Sequence, residues 1–174
     1  MWRKKPELKP LIHALLVVVG FMIVCKALSY KIMFQITPSL PKGIYRIDHP
    51  DRIDKGMICV FDIPRNVNGL MKTRGWLPEH LNFYLTKPVV AKQGDVVEVS
   101  TAGLYINGKY FGPVKQNDSQ GLPLPRIYCK YVLRQGEYFF ASTYNNSFDS
   151  RYFGTVRKEN IRWVEKPLIV FGSN

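Results

Sequence analysis

The chain has 174 residues, enough for one globular domain with an added segment. A hydrophobic fraction of 46% excludes an intrinsically disordered protein, and 12 prolines with 13 glycines favour short strands over long helices. The net charge is +12, but the basic residues are scattered and no nucleic-acid-binding motif accompanies them. We therefore expect an anionic lipid surface, and no specific nucleic acid, as the electrostatic partner.

An apolar run near the N-terminus predicts a membrane helix. Residues 11–28 read LIHALLVVVGFMIVCKAL, close to the length of about 20 residues that a spanning helix needs. Four basic residues precede the run and are offset only by Glu7, namely Arg3, Lys4, Lys5 and Lys9. By the positive-inside rule, this bias predicts a cytoplasmic basic segment (1–10), a transmembrane anchor (11–30) and a periplasmic domain (31–174) of a bacterial inner-membrane protein. A cleaved signal peptide is the alternative, because Ala27-Leu28-Ser29 loosely matches a cleavage site.

The residues beyond the anchor predict a mainly β domain. Short β-type runs bounded by turn residues predict strands at 43–48, 56–63, 82–91, 96–100, 131–133, 137–141, 161–164 and 168–171. Asn107-Gly108 fits a type I′ turn between strands at 104–106 and 109–111. One short helix is predicted at 70–74, and the polar, proline-rich residues 116–126 predict a loop.

The cysteines do not indicate a metal site. Cys25 lies in the apolar run, and neither Cys59 nor Cys129 belongs to a CxxC or histidine-bearing motif, so we expect no metal and no cofactor. In an exported domain these two cysteines could form a disulfide, but the sequence does not place their α-carbons within bonding distance. Both redox states therefore remain open.

Histidine is poorly placed to act as a catalytic base. His49 precedes a proline in a turn-like segment and His80 lies in a loop or helical region, so we expect both at the surface. A serine nucleophile would then need another base, and a buried lysine can serve because desolvation lowers its pKa. Lys87 has apolar neighbours on both sides in a predicted strand, although an ordinary edge-strand lysine would look the same.

Three separated segments resemble the S26 signal peptidase family, specifically its conjugative-transfer, TraF-type branch. Residues 37–45 (TPSLPKGIY) are similar to the serine box, and residues 87–95 (KPVVAKQGD) resemble the lysine box that ends in Gly-Asp. Residues 147–154 (SFDSRYFG) are similar to the Ser-x-Asp-Ser-Arg-x-x-Gly box. Residues 74–77 (RGWL) and 121–125 (GLPLP) also look like TraF-type segments.

The resemblance implies a signal-peptidase-like β-sheet catalytic domain with a Ser-Lys dyad. It selects Ser39 as the nucleophile and Lys87 as the general base, since Lys87 lies seven residues before the glycine of its box. It also implies an oxyanion site formed by the Thr37 hydroxyl and the Ser39 backbone N–H. Ser147 would orient the lysine amine. Asp149 and Arg151 would form a supporting salt bridge, with a purely structural and a catalytic role both open.

The implied reaction is endoproteolysis of an exported precursor, and the TraF-type resemblance implies a prepilin of a conjugation (type IV secretion) apparatus. The acyl-enzyme could be resolved by water or by an amine, which would cyclise the peptide, and the sequence does not distinguish the two. The sequence also does not determine the oligomeric state. One alternative is a general leader peptidase, although the ASTYNN at 141–146 departs from the Gly-Asp-Asn of those enzymes. Another is a non-catalytic, membrane-tethered assembly subunit. Pro88 is a further departure from the family pattern. It predicts an extended backbone at Lys87 and is compatible with an edge strand.

Overall fold

An apolar helix, α1 (Leu8–Ser29), precedes a mainly β part of the chain in the computed structural model, which describes residues 8–29, 32–77, 80 and 83–171. The strands are β1 (Ile32–Gln35), β2 (Gly43–Asp48), β3 (Ile58–Asp62), β4 (Tyr84–Ala91), β5 (Val96–Ser100), β6 (Gly103–Ile106), β7 (Lys109–Gly112), β8 (Cys129–Val132), β9 (Glu137–Phe140), β10 (Val156–Arg157) and β11 (Ile161–Val170). The other helical elements are α2 (Arg65–Thr73), α3 (Ser150–Phe153) and a 3₁₀ turn at Lys158–Asn160.

Helix α1 has the length and composition of a membrane span. Its window Lys9–Ala27 has a mean hydropathy of 2.2, and none of that window is buried against the rest of the chain. At 1.5 Å per residue the helix approximates the hydrocarbon thickness of about 30 Å. The helix begins at Leu8, three residues before the predicted start of the anchor, and Tyr30 lies outside the described residues.

The strands form two antiparallel sheets. The larger has seven strands in the order β1-β2-β11-β3-β4-β9-β10, and the smaller has four in the order β7-β6-β5-β8. One core lies against the larger sheet, where Phe61 stacks on Phe140 with ring centroids 4.4 Å apart, and a second core includes Val97, Leu104 and Phe139. The mainly β fold class is therefore confirmed.

Several local predictions need correction. The strands predicted at 161–164 and 168–171 are one strand, β11, which continues through Pro167 and has a register shift against β2 between Pro167 and Ile169. Helix α2 is longer than predicted, and three short elements of two to four residues, β1, β10 and α3, were not predicted. The Asn107-Gly108 turn is confirmed by positive φ angles of 53° and 78°.

Strand β4, which carries Lys87, lies inside the sheet and not at its edge. It pairs with β3 on one side, where Lys87 is opposite Cys59, and with β9 on the other. Pro88 is tolerated there because its carbonyl points to the β9 side, accepting from Ala141 N at 3.2 Å, so its missing N–H does not interrupt the β3 ladder. The edge-strand interpretation of Pro88 was wrong, and Lys87 is consequently enclosed on both sides.

Gly43 is needed because β11 approaches β2 closely. A Cβ at this position would lie 2.2 Å from Ile169 O, so Gly43→Ala has to displace one strand. We expect the free energy of unfolding to fall by about 1–3 kcal/mol. Each kcal/mol lost should lower Tm by about 2–4 °C, which thermal denaturation measures.

Gly69→Ala is the matched control for that substitution. Gly69 lies inside α2 with nothing within 4 Å of its Cβ position, so the variant should be neutral or up to about 1 kcal/mol more stable. Equal midpoints for the two variants would contradict the steric account of Gly43.

Candidate active site

Ser39 lies in the turn that joins β1 to β2, and three contacts hold the turn. Leu40 N donates to Thr37 O at 3.5 Å, and Tyr45 Oη donates to Pro41 O at 2.8 Å. Ser142 Oγ donates to the carbonyl oxygen of Ser39 at 2.6 Å. The backbone of Ser39 is thus attached to a segment 103 residues away in sequence, while its side chain faces a cavity.

Lys87 meets Ser39 inside the protein. Its side chain leaves β4, is 7% exposed, and its Nζ donates to Ser39 Oγ at 2.7 Å. Burial lowers the pKa of Lys87 to about 8, an effect that the negative charge of Asp149 opposes and the positive charge of Arg151 reinforces. An amine with this pKa is partly neutral near physiological pH and can accept a proton.

Asp149 and Arg151 form a buried ion pair next to this site. Asp149 is 0% exposed and Arg151 is 1% exposed. Arg151 Nε donates to Asp149 Oδ1 at 2.8 Å, and Nη2 donates to Oδ2 at 2.6 Å. Two further guanidinium N–H groups, one on Nη1 and one on Nη2, donate to the carbonyl oxygens of Pro113 and Ser142, both at 2.9 Å. The predicted salt bridge between these residues is present, with bidentate geometry.

The local sequence explains how residues 147–154 adopt this arrangement. Asp149 is the N-cap of α3, since its side chain also accepts from Arg151 N at 3.2 Å. Ser150 Oγ accepts from Phe140 N at 3.1 Å, which attaches the turn to β9. Gly154 ends the helix at φ +85° with open space at its Cβ position, so it provides a backbone conformation and not a close contact.

Ser142 is a site residue that the sequence reasoning missed. Its Oγ donates to Ser39 O, its N donates to Asp149 Oδ2 at 3.1 Å, and its carbonyl accepts from Arg151 Nη2. It therefore connects the ion pair to the Ser39 turn. The only signal was its position at the start of the segment 141–146, which precedes the third box.

The other two predicted residues have less direct positions. Thr37 is exposed, and its Oγ1 lies 3.4 Å from Ser39 Oγ. Ser147 is buried and lines the same cavity as Lys87, but among the described residues its Oγ has no hydrogen-bond partner. The expected contact between Ser147 and the lysine amine is therefore not made in this structure.

Ser39 and Lys87 open into a cavity of about 490 Å³. Its apolar walls are Met71, Trp76, Leu85, Leu124 and Phe148. His49 and His80 are exposed and are not among the described lining residues, in agreement with the prediction of surface histidines. Cys59 and Cys129 are free thiols on different sheets.

Most of the chain matches one known protein family. The model of the family described as signal peptidase, peptidase S26, matches residues 7–166. The chain belongs to the S26 signal peptidase family. Its relatives place it in the conjugative-transfer, TraF-type branch of that family, as the three boxes predicted.

Two relatives illustrate this S26 branch. A plasmid transfer protein TraF of Escherichia coli is 32% identical over 145 residues, covering 78% of this chain and 80% of that protein. A probable conjugal transfer protein TraF of Sinorhizobium fredii is 28% identical over 180 residues, covering 97% of this chain and 92% of that protein. A signal peptidase I structure from Enterococcus faecalis is 20% identical with a TM-score of 0.38, covering 64% of this chain and 94% of that chain.

Proposed function

We propose that this S26 family member is a membrane-anchored serine endopeptidase in which Ser39 is the nucleophile and Lys87 the general base. The observation that carries the proposal is the 2.7 Å contact between Ser39 Oγ and the Nζ of a lysine whose burial lowers its pKa to about 8. A serine hydroxyl is a weak nucleophile unless a neighbour takes its proton during attack. Family membership supports peptidase activity, and the contact supports these two residues as its centre.

The proposed reaction begins with neutral Lys87. The Ser39 hydroxyl donates its proton to Nζ while Oγ forms a bond to the scissile carbonyl carbon. Collapse of the tetrahedral intermediate breaks the C–N bond, and the Lys87 ammonium gives its proton to the leaving amine. The acyl-enzyme is then resolved when water, or an amine, gives a proton to Lys87 and bonds to the ester carbonyl carbon. The C–O bond to Ser39 breaks as Lys87 returns that proton to Ser39 Oγ. No cofactor takes part in this scheme.

The Ser39 turn also supports an oxyanion site. The Ser39 backbone N–H and the Thr37 hydroxyl, whose Oγ1 is 3.4 Å from the nucleophilic oxygen, are the proposed donors. We predict that Thr37→Val lowers kcat by about 100-fold with little change in KM, because a transition-state donor is lost. Steady-state cleavage of a precursor peptide measures this, and Thr37→Ser, which keeps the hydroxyl, should restore most of the rate. A change in KM alone would contradict an oxyanion role.

The buried ion pair is proposed to help position the dyad. Asp149 and Arg151 hold Ser142, and Ser142 holds the carbonyl of Ser39, so the network positions the nucleophile. The net charge of the pair is zero, which leaves burial as the dominant influence on the pKa of Lys87. Ser147, without a partner among the described residues, is proposed to bond Lys87 when substrate occupies the cavity.

The substrate and location are inferred from the branch of the family. We propose a cytoplasmic segment at 1–10, an inner-membrane anchor at 11–30 and a periplasmic peptidase domain at 31–174. The apolar α1 supports the anchor, and the basic residues before it support this orientation. The plasmid and conjugal transfer names of the relatives support a prepilin of a conjugative transfer system as the precursor.

The pH dependence of cleavage follows from the Lys87 pKa. Protonated Lys87 cannot accept the Ser39 proton, so the rate should rise about tenfold per pH unit below the pKa. The rise should level off above a pH of about 8, the pKa of Lys87. Single-turnover acylation rates between about pH 6 and pH 10 measure this profile. A profile that is flat across that range would contradict a lysine base.

Processing in living cells tests the function as a whole. A conjugative pilin precursor and a set of bulk exported proteins are followed in cells that make the wild-type chain, Ser39→Ala or Lys87→Ala. We expect wild type to process the pilin precursor, both variants to accumulate it, and bulk proteins to mature equally in all three. Maturation of bulk proteins that depends on Ser39 would indicate a general leader peptidase. Normal pilin processing by well-folded variants would indicate a non-catalytic assembly subunit.

A further inference from the structure

Residues 116–124 form a loop that borders the cavity at Ser39 and Lys87. This segment, the roof loop, folds back on itself, with Leu124 N donating to Gln116 O at 2.7 Å and Asp118 N donating to Leu122 O at 2.8 Å. Its residues Asn117, Asp118, Ser119 and Leu124 line the cavity. The predicted loop at 116–126 is therefore part of the site and not a featureless connection.

Arg74 ties the roof loop to the end of α2. Its side chain is only 12% exposed, and Nη1 donates to Asp118 Oδ2 at 2.5 Å while Nη2 donates to Pro123 O at 2.6 Å. The same guanidinium lies over the ring of Trp76, 5.6 Å from its centroid. The planar guanidinium of Arg74 thus connects Asp118 and Pro123, on the two sides of the roof loop, to the end of α2. A lysine ammonium lacks this two-sided geometry.

Asp118 organises the roof loop from within. Its Oδ1 accepts from Gln120 N and from Leu122 N, both at 2.9 Å. Burial disfavours its charged form, but these hydrogen bonds and Arg74 prevail and lower the pKa of Asp118 below its ordinary value. The carboxylate is therefore charged at neutral pH and fully used within the protein, so it offers no free charge to a substrate.

The space beneath the roof loop suits an apolar group. Its apolar lining is supplied by Met71, Trp76, Leu85, Leu124 and Phe148. Among the described residues, the charged lining residues besides Lys87 are Asp118, which is paired with Arg74, and Lys115, whose Nζ donates to Asn146 Oδ1. A volume of about 490 Å³ lies in the range of ligand pockets.

We propose that Arg74 and Asp118 are positioning residues for substrate specificity, holding the roof loop so that a bulky apolar side chain of the precursor packs between Trp76 and Leu124. The inference rests on the proposed function. Neither side chain has a hydrogen bond to Ser39 or Lys87 among the described residues, so releasing the roof loop should weaken binding and leave the chemical step intact.

The kinetic test uses the full chain in detergent and peptides that span the precursor cleavage site. Each position carries alanine, leucine or phenylalanine in turn, and wild type should prefer a bulky side chain at one position. For that peptide we expect Arg74→Gln and Asp118→Asn to raise KM about tenfold with kcat within about twofold, and Arg74→Lys not to restore KM. The alanine peptide should show no change. Asp62→Asn, in the exposed Arg162–Asp62 pair between β11 and β3, is the matched control.

A binding measurement separates this inference from the proposed function. The same peptides are titrated onto Ser39→Ala protein with and without the Arg74 or Asp118 substitution, and dissociation constants are compared. A tenfold loss of affinity confined to the bulky peptide supports the proposed role of the roof loop, even if wild type fails to cleave the peptide. Failure to cleave would contradict only the peptidase proposal. Wild-type affinity that is indifferent to side-chain size, or an equal loss for all peptides, would overturn the inference.

Discussion

Replacing Lys87 with methionine is expected to lower kcat for precursor cleavage by about 1000-fold or more. Methionine has a similar length but cannot take the Ser39 proton, and removal of one member of a nucleophile–base unit abolishes most of its catalysis. The fold should survive, because Lys87 is 7% exposed and desolvation opposes its charge. Loss of that charge should leave Tm equal to or above the wild-type value.

The control for this variant is Lys92→Met, which alters the other lysine of the same box. Lys92 pairs with Asp54 at 2.5 Å, and neither residue is among the described lining residues of the cavity, so the Lys92 substitution should have little effect on cleavage. Single-turnover cleavage and thermal denaturation of both variants measure the two effects. Substantial activity in Lys87→Met would exclude Lys87 as the base, while a lowered Tm would contradict the electrostatic account of its burial.

Asp149→Ala is expected to have the largest effect on stability, lowering the free energy of unfolding by about 3–5 kcal/mol. It leaves the guanidinium of Arg151, which is 1% exposed, without its carboxylate, and it leaves Ser142 N without its acceptor. Because Ser142 holds the Ser39 carbonyl, cleavage should also fall. Denaturant unfolding measures the first effect, and peptide cleavage well below the transition measures the second.

A double variant distinguishes a lost ion pair from a general packing defect. Asp149→Ala with Arg151→Met removes both charges, so it should recover part of the stability that Asp149→Ala loses. Asp62→Asn, in an exposed ion pair, should cost no more than about 1 kcal/mol. If the double variant loses as much free energy of unfolding as Asp149→Ala and Arg151→Met lose together, an uncompensated buried charge is not the cause.

The two residues of the proposed dyad could be selected from the sequence because each lies in a box with its own spacing. Ser39 and Lys87 are 48 residues apart, and the sequence alone gave no distance between them, but the boxes selected both members of a pair that is 2.7 Å apart. Ser142 was missed because its contact with Ser39 exists only after β9 and the β1–β2 turn are brought together. The hydrogen bond expected between Ser147 and Lys87 is not formed among the described residues, where burial removes Ser147 Oγ from water without supplying a partner.

The same limit applies to the fold. Alternation and turn residues predicted most strands, because these signals are local, and the Asn107-Gly108 hairpin is the clearest case. The position of β4 inside the sheet depends on pairing with β9, which is about 50 residues later, so Pro88 alone misled the prediction. The Arg74–Asp118 pair joins the TraF-like stretch at 74–77 to the predicted loop at 116–126, two segments that showed no connection in the sequence.

Trapping the acyl-enzyme tests the central claim most directly. The full chain is mixed with a peptide ester of the precursor sequence, quenched in acid within one turnover and analysed by tandem mass spectrometry. We predict a single acyl adduct on Ser39 whose rate of formation rises with pH up to the Lys87 pKa of about 8. An adduct on another residue, or turnover of the peptide by wild type without an adduct on Ser39, would contradict the account.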